Sequence, residues 1–118
     1  LDQSGKVIYQ KKPEVIVEKF VSDINLKIVQ DAMRQTVTAG SGRLLNSLSI
    51  QVAGKTGTSQ FDGSDLKKTH AWFTAYAPFE NPQSVITVLV EAGGEGYSVA
   101  VPVVKDALQW WTQNRYNK

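Results

Sequence analysis

A helical pattern of apolar residues lies in the first third of the chain. Apolar side chains recur at three- and four-residue spacing over residues 24–37, which places them on one face of a helix. Asp23 or Asn25 is expected to cap its start, and Gly40 or Gly42 to end it. A stripe of this kind predicts an amphipathic helix that packs on a core.

The same spacing returns near the C-terminus, from Val99 to Trp111, and predicts a second amphipathic helix. Ser98 is expected to cap it. Pro102 is compatible with this helix only if it lies in the opening turn, where its missing N–H has no helical partner to lose.

The segments between the predicted helices have the composition of strands. Residues 49–58 include alternating apolar positions before a pair of glycines, residues 70–76 are rich in β-favouring side chains, and residues 84–91 are the clearest buried strand. Residues 5–9 predict a peripheral strand or an extended arm. The order predicts an α/β fold of the α+β type, an antiparallel sheet with amphipathic helices on one face.

Composition limits the class of protein. The 118 residues suffice for one domain, and 42% hydrophobic with 20% charged residues is ordinary for a folded chain. A net charge of +2 gives no reason to expect a nucleic-acid partner, and no apolar run approaches the ~20 residues of a membrane helix. The chain has no cysteine, and because it starts at Leu1 without a signal segment we expect it to be part of something longer.

The segment Gly54-Lys55-Thr56-Gly57-Thr58 allows three interpretations. It resembles the end of a phosphate-binding loop, but position 49 is Ser where that loop needs Gly, and a polar loop follows instead of a helix. It could be a plain strand end with a solvated lysine. Alternatively, the lysine and hydroxyls could bind a substrate carboxylate in a serine acyltransferase, with the glycines admitting the substrate backbone.

The surrounding sequence favours the third interpretation through a resemblance to a known family. Residues 52–59, Val-Ala-Gly-Lys-Thr-Gly-Thr-Ser, resemble the third motif of penicillin-binding proteins. Residues 70–78 look like the strand that pairs beside that motif, and residues 88–94 and 100–103 match the closing strand and helix. The resemblance covers nearly the whole chain and is closest to the class B, elongation-type enzymes called penicillin-binding protein 2. It implies that residues 1–118 are the C-terminal part of a single transpeptidase domain.

The resemblance also implies roles for the matched positions. Lys55 would orient the terminal carboxylate of the substrate and tune the catalytic serine network. Thr56 and Thr58 would hydrogen-bond that carboxylate or its β-lactam counterpart, and the backbone N–H of Thr58 would donate in the oxyanion hole. Gly57 would keep the strand open to the substrate.

The nucleophile of this family does not occur in the chain. It is a serine followed three residues later by a lysine, well upstream of the Lys-Thr-Gly strand, and the second motif, Ser-x-Asn, is absent as well. Ser64-Asp65-Leu66-Lys67 fits the first pattern by spacing alone, because it follows the strand and lies in a polar loop. We therefore expect the chain by itself to be inactive.

Other residues that invite a functional reading have simpler explanations. His70 is the sole histidine, so a metal site is not expected, and its place at the start of a strand favours a structural or rim role. Trp110 and Trp111 are expected to point one outward and one inward. Residues 93–96 could cradle an anion but are more typical of a flexible turn.

The resemblance implies a peptidoglycan D,D-transpeptidase that acts on D-Ala-D-Ala stem peptides, is inhibited by β-lactams and uses no cofactor. Its implied partners are the upstream part of the same domain and a membrane glycosyltransferase of the elongation machinery. The implied location is extracytoplasmic, with a membrane anchor outside this chain. A catalytically silent sensor or assembly module with the same fold is the alternative.

Overall fold

The computed structural model describes residues 4–10, 12, 14–61, 63 and 68–116. Within this part of the chain the fold is a three-stranded sheet with two long helices and two single-turn helical segments. In order, the elements are helix α1 (Asp23–Thr38), a 3₁₀-helix (Arg43–Ser47), strands β1 (Ala53–Gln60), β2 (Thr69–Ala77) and β3 (Ser84–Val90), helix α2 (Gly96–Trp111) and a π-helical turn (Thr112–Tyr116). Neither α1 nor α2 combines the length and apolar character that spanning a membrane requires.

The sheet is an antiparallel meander, as the sequence predicts. The strand order is β1-β2-β3, so β1 and β3 are the edges of the described sheet. Phe73 in β2 lies opposite Thr56 on one side and Val88 on the other. Since opposed residues in an antiparallel pair share a face, these three side chains belong to one face of the sheet.

The core lies on that face and joins the sheet to both helices. Alternate residues of β2 are fully buried, which is the period expected of a strand with one face on a core. Each helix places buried residues in the same cluster, and this confirms the mixed architecture of helices and antiparallel sheet. The core residues are Val37, Leu45, Val52, Phe73, Ala75, Ala77, Ala100, Val101, Val104 and Leu108.

Helix α1 occupies the predicted range, but its cap differs from the prediction. Ser22 is the N-cap, and its Oγ accepts a hydrogen bond of 3.3 Å from the N–H of Asn25. Neither Asp23 nor Asn25 has that role, because the helix already begins at Asp23, one residue earlier than an Asp23 cap requires. The helix ends just before Gly40, where an added Cβ would lie 2.9 Å from the carbonyl oxygen of Thr36.

The predicted apolar face of α1 is only partly covered. Val37 is fully buried, whereas Ile24 and Ile28 near the start of the helix are 75% and 61% exposed. The helix packs along β1 and the 3₁₀-helix, and only its last turns reach the core. The expectation of a helix packed on a core along its length therefore holds for its C-terminal half.

Helix α2 starts earlier than the sequence predicts, which changes the roles of two residues. It begins at Gly96, with Glu95 as its N-cap, so Ser98 lies inside the first turn. The Ser98 hydroxyl donates to the Glu95 carbonyl oxygen at 2.8 Å. Pro102 is consequently inside the helix instead of in its opening turn, and the Ser98 carbonyl loses the N–H partner that another residue would supply.

Strand β1 is shifted toward the C-terminus relative to the prediction. It spans Ala53–Gln60 instead of residues 49–58. The residues before it form a connection in which the Val52 carbonyl accepts a 2.8 Å hydrogen bond from the Arg34 guanidinium of α1. The predicted peripheral strand is absent from residues 5–9, which are exposed and irregular, and so only the alternative of an extended arm agrees with the structure.

Candidate functional site

Lys55 lies on the edge strand β1 with an exposed side chain. It pairs with Thr74 of β2, and its Nζ donates a 2.7 Å hydrogen bond to the carbonyl oxygen of Thr56. An exposed ammonium on a sheet edge presents positive charge to any group that approaches along the strand. Lys55 therefore lies at the exposed edge of the described sheet.

The hydroxyls of Thr56 and Thr58 each contact a residue from outside the strand. Thr56 Oγ1 lies 3.1 Å from the Ser41 Oγ. Thr58 Oγ1 donates to Glu95 Oε2 at 3.3 Å. The structure thus adds Ser41 and Glu95 to the residues predicted from sequence. Both lie between glycines, Ser41 in the turn expected to end α1 and Glu95 in the segment 93–96, which by sequence could cradle an anion and is more typical of a turn.

Glycines hold the neighbouring backbones close to β1. A Cβ on Gly54 would lie 2.6 Å from Phe73 Cζ and 2.7 Å from the Thr74 carbonyl oxygen. A Cβ on Gly57 would lie 3.1 Å from Trp72 Cβ, which is tight but does not strike the backbone. Gly54 is required by packing, whereas a side chain at Gly57 would only press on the Trp72 side chain.

The loop from β3 to α2 is fastened to the start of β2. Gly94 and Thr69 exchange hydrogen bonds of 3.1 Å, one from the Gly94 N–H to the Thr69 carbonyl and one from the Thr69 hydroxyl to the Gly94 carbonyl. The Ala92 N–H donates to His70 Nδ1 at 3.1 Å, and the His70 ring stacks on Phe61 with centroids 4.2 Å apart. His70 therefore anchors this loop, in agreement with its predicted structural role.

The remaining candidates lie elsewhere. Trp110 is 56% exposed while Trp111 packs against the core, as predicted. The residues 64–67 that mimic a nucleophile motif lie outside the described part of the chain. Across the described residues, no group of three or more metal-ligating side chains is placed to hold a metal ion. A cavity of about 300 Å³ between the 3₁₀-helix and α2 is lined in part by Ser47 and Lys105 and does not include residues 55–58.

The resolved pKa shifts also lie away from residues 55–58. Burial raises the pKa of the Tyr76 phenol, and the nearby Lys27 ammonium opposes part of that rise. The pKa of Lys27 is itself raised, first by its hydrogen bond to Asp31. These groups surround the end of β2 that pairs with Ala53, and they take no part in the arrangement around Lys55.

Strand β1 carries three side chains that can donate hydrogen bonds to an anion. Lys55 supplies positive charge, and the hydroxyls of Thr56 and Thr58 can each donate a hydrogen bond to a carboxylate. Charge-assisted hydrogen bonds of this kind position a ligand strongly.

The known proteins that this chain resembles in sequence and in structure are proteins of peptidoglycan synthesis and penicillin-binding proteins. The chain is 38% identical over 89 residues to the peptidoglycan D,D-transpeptidase MrdA of Haemophilus influenzae, covering 64% of this chain and 14% of that protein. Its structure resembles the Pseudomonas aeruginosa PBP2 crystal structure in complex with WCK 5153, with a TM-score of 0.70, 32% identity and coverage of 90% of this chain and 22% of that one. It also resembles a chain of a peptidoglycan synthase complex that coordinates polymerization and crosslinking, with a TM-score of 0.62, 34% identity and coverage of 72% and 16%.

The chain therefore spans a small part, 14 to 22%, of the length of the first two of these proteins. The family model for the penicillin binding protein transpeptidase domain matches residues 2–109, which is nearly all of the chain. The match includes the edge strand with Lys55 and all but the last two residues of helix α2. The chain belongs to the penicillin-binding protein transpeptidase domain family.

Proposed function

We propose that this chain is the C-terminal part of a peptidoglycan D,D-transpeptidase of the penicillin-binding protein 2 type, and that residues 55–58 form its substrate-binding strand. The observation that carries the proposal is a set of donors on edge strand β1: the exposed Lys55 ammonium, whose Nζ reaches the Thr56 carbonyl oxygen at 2.7 Å, and the hydroxyls of Thr56 and Thr58, two residues apart. An edge strand can pair with an extended peptide, and these donors suit the carboxylate at the end of such a peptide.

In this proposal Lys55 orients the terminal carboxylate of the stem peptide, and the Thr56 and Thr58 hydroxyls hydrogen-bond it. Gly57 has no side chain, so the strand stays open to the peptide backbone. A β-lactam carboxylate takes the same place. Lys55 also supplies positive potential to the catalytic serine network.

The backbone N–H of Thr58 is proposed as one donor of the oxyanion hole. The carbonyl oxygens of Gly57 and Trp72 both lie close to Gly96, an arrangement expected where Gly57 and Trp72 exchange hydrogen bonds. The alternation of an antiparallel ladder then turns the Thr58 N–H away from β2 and toward an approaching ligand. A donor in this position stabilises the negative charge that develops on the carbonyl oxygen during attack.

The nucleophile in this proposal is a serine outside the chain. Its hydroxyl attacks the carbonyl of the penultimate D-alanine, its proton passes to the leaving amine, and the terminal D-alanine departs. The amine of a second stem peptide then attacks the acyl-enzyme, releases the serine and completes the cross-link. With a β-lactam the ring C–N bond breaks in the first step, and the acyl-enzyme persists.

The proposed setting follows from the same family. The partners are the remainder of the transpeptidase domain, the stem peptide and a membrane glycosyltransferase of the elongation machinery. A related chain that works within a peptidoglycan synthase complex supports the last of these. The proposed location is extracytoplasmic, with an anchor to the cytoplasmic membrane in another part of the protein.

A direct experiment compares this chain with a longer parent polypeptide that includes a Ser-x-x-Lys segment. We expect the parent to release D-alanine from an acyl-D-Ala-D-Ala peptide and to be labelled by a fluorescent penicillin, while the chain alone does neither. A parent that binds peptidoglycan but is never acylated would instead favour a silent sensor or assembly module.

A further inference from the structure

Glu95 places a carboxylate beside the proposed substrate strand. Its Oε2 accepts a 3.3 Å hydrogen bond from the hydroxyl of Thr58, across 37 positions of sequence. Because Thr58 is one of the hydroxyls assigned to the ligand carboxylate, Glu95 occupies a position next to that ligand. The side chains of both residues are exposed, so a ligand can reach this contact.

The backbone around Glu95 is held on both sides, so its position is defined by the fold. On one side Gly94, with φ +76°, is tied to Thr69 by a pair of hydrogen bonds. On the other side Gly96 packs against the carbonyl oxygens of Trp72 and Gly57, so closely that a Cβ at this position would clash with both. Glu95 is also the N-cap of α2, where the positive end of the helix dipole favours a negative side chain.

We propose that Glu95 is a specificity-determining residue that stands in for the ligand carboxylate while the site is empty and disfavours ligands by their negative charge. This inference rests on the proposed function of residues 55–58. A ligand carboxylate that accepts from the Thr58 hydroxyl either displaces Glu95 or shares that hydroxyl with it. In both cases Glu95 lowers the affinity for an anion.

The size of the effect follows from the separation of the charges. Two carboxylates that accept from one hydroxyl lie on the order of 5 Å apart. At an exposed position their repulsion weakens binding by about fivefold, and the repulsion is largely screened at 1 M salt. Removing the charge should therefore speed acylation by an anionic β-lactam and leave a neutral one unaffected.

The test uses the parent protein with its upstream serine and a series of charges at position 95. The second-order acylation rate constant is measured for wild type, Glu95→Gln and Glu95→Lys, with benzylpenicillin as the anion and its methyl ester as the neutral probe. Glu95→Gln keeps an oxygen that can accept from Thr58, so it isolates the charge from the hydrogen bond. Glu91→Gln is the matched control, because Glu91 is an exposed glutamate at the start of the same loop.

We expect benzylpenicillin to react about fivefold faster with Glu95→Gln than with wild type, and faster again with Glu95→Lys. The gain should fall toward unity in 1 M NaCl, stay within twofold for the ester, and be absent in Glu91→Gln. Equal or slower reaction of Glu95→Gln with the anion, or equal gains for anion and ester, overturns the assignment of Glu95. A wild-type parent that no penicillin acylates overturns the proposed function itself, and the role of Glu95 fails with it.

Discussion

Gly96 meets the sheet at a distance that leaves no room for a side chain. A Cβ there would lie 2.4 Å from the Trp72 carbonyl oxygen and 2.8 Å from that of Gly57. We expect Gly96→Ala to lower the free energy of unfolding by about 1–3 kcal/mol, because the start of α2 must move away from the sheet. Urea unfolding measures the loss, and Gly63→Ala is the control, since nothing lies within 4 Å of a Cβ at that position. Equal stability of the two variants would show that the contact is easily relieved.

Lys55 is exposed, so its role in binding can be separated from any role in stability. In the parent protein we expect Lys55→Ala to slow acylation by benzylpenicillin about tenfold or more, because a charge-assisted contact to the ligand is lost. The melting temperature should stay close to that of wild type. Lys12→Ala, the same change at another exposed lysine, should react at the wild-type rate. A wild-type rate for Lys55→Ala would contradict its assignment.

Tyr76 has a buried hydroxyl with no hydrogen-bond partner in the described part of the chain. Burial raises the pKa of this phenol above 10.0, so the folded state favours the protonated form. The stability of the wild type is therefore unaffected by this titration below about pH 10, and it falls as the pH rises through the folded-state pKa. Tyr76→Phe should be as stable as wild type or up to about 1 kcal/mol more stable at pH 7, and its advantage should grow above pH 10. Urea unfolding at both pH values tests this, with the 56% exposed Tyr97→Phe as control. An advantage that shrinks above pH 10 would contradict the sign.

Strand β2 depends on Phe73, which is fully buried between β1 and β3. We expect Phe73→Ala to cost about 3–5 kcal/mol of unfolding free energy, because the cavity lies at the centre of the core. The matched change Phe20→Ala, at a side chain that is 86% exposed, should cost far less. Circular dichroism during urea unfolding compares them. Similar losses of unfolding free energy in both variants would contradict the position of Phe73 at the centre of the core.

The helices and strands could be predicted because each depends on a local pattern, and the strand order because three strands follow one another along the chain. The spacing of apolar residues over 24–37 is set by the helix itself, and the alternation in β2 by the pleat. The boundaries depend on partners distant in sequence. Gly96 starts α2 because it fits against the sheet, although glycine by itself indicates a break. Strand β1 runs to Gln60 because Gln60 pairs with Thr69, which no local pattern reveals.

The candidate site also combines residues that local sequence indicates with residues that only the folded structure brings together. Residues 55–58 could be proposed from sequence because they are contiguous and lie within a longer segment that resembles a family motif. Ser41 and Glu95 could not, since they reach Thr56 and Thr58 from 15 and 37 positions away through the ends of the two helices. Both lie in glycine-containing turns. The glycines alone do not indicate a site, because only the fold shows that these turns lie beside β1.

The exposed apolar side chains of the described chain favour its proposed place within a larger domain. Ile24 on α1 and Val85 on edge strand β3 are 75% and 72% exposed, and Ile16 is 92% exposed. Extensive apolar exposure of this kind is typical of surfaces that pack against another part of a protein. The upstream part of the transpeptidase is the occupant that the proposed function requires.

The most direct measurement is the position of the covalent label in a penicillin-treated parent protein. After proteolysis, mass spectrometry should locate the acyl group on a serine outside residues 1–118 that is followed three residues later by a lysine. The peptide that contains residues 55–58 should carry no label, because these residues bind and polarise the ligand without bonding to it. An acyl group on Ser64, or on any other residue of this chain, would contradict that division of roles.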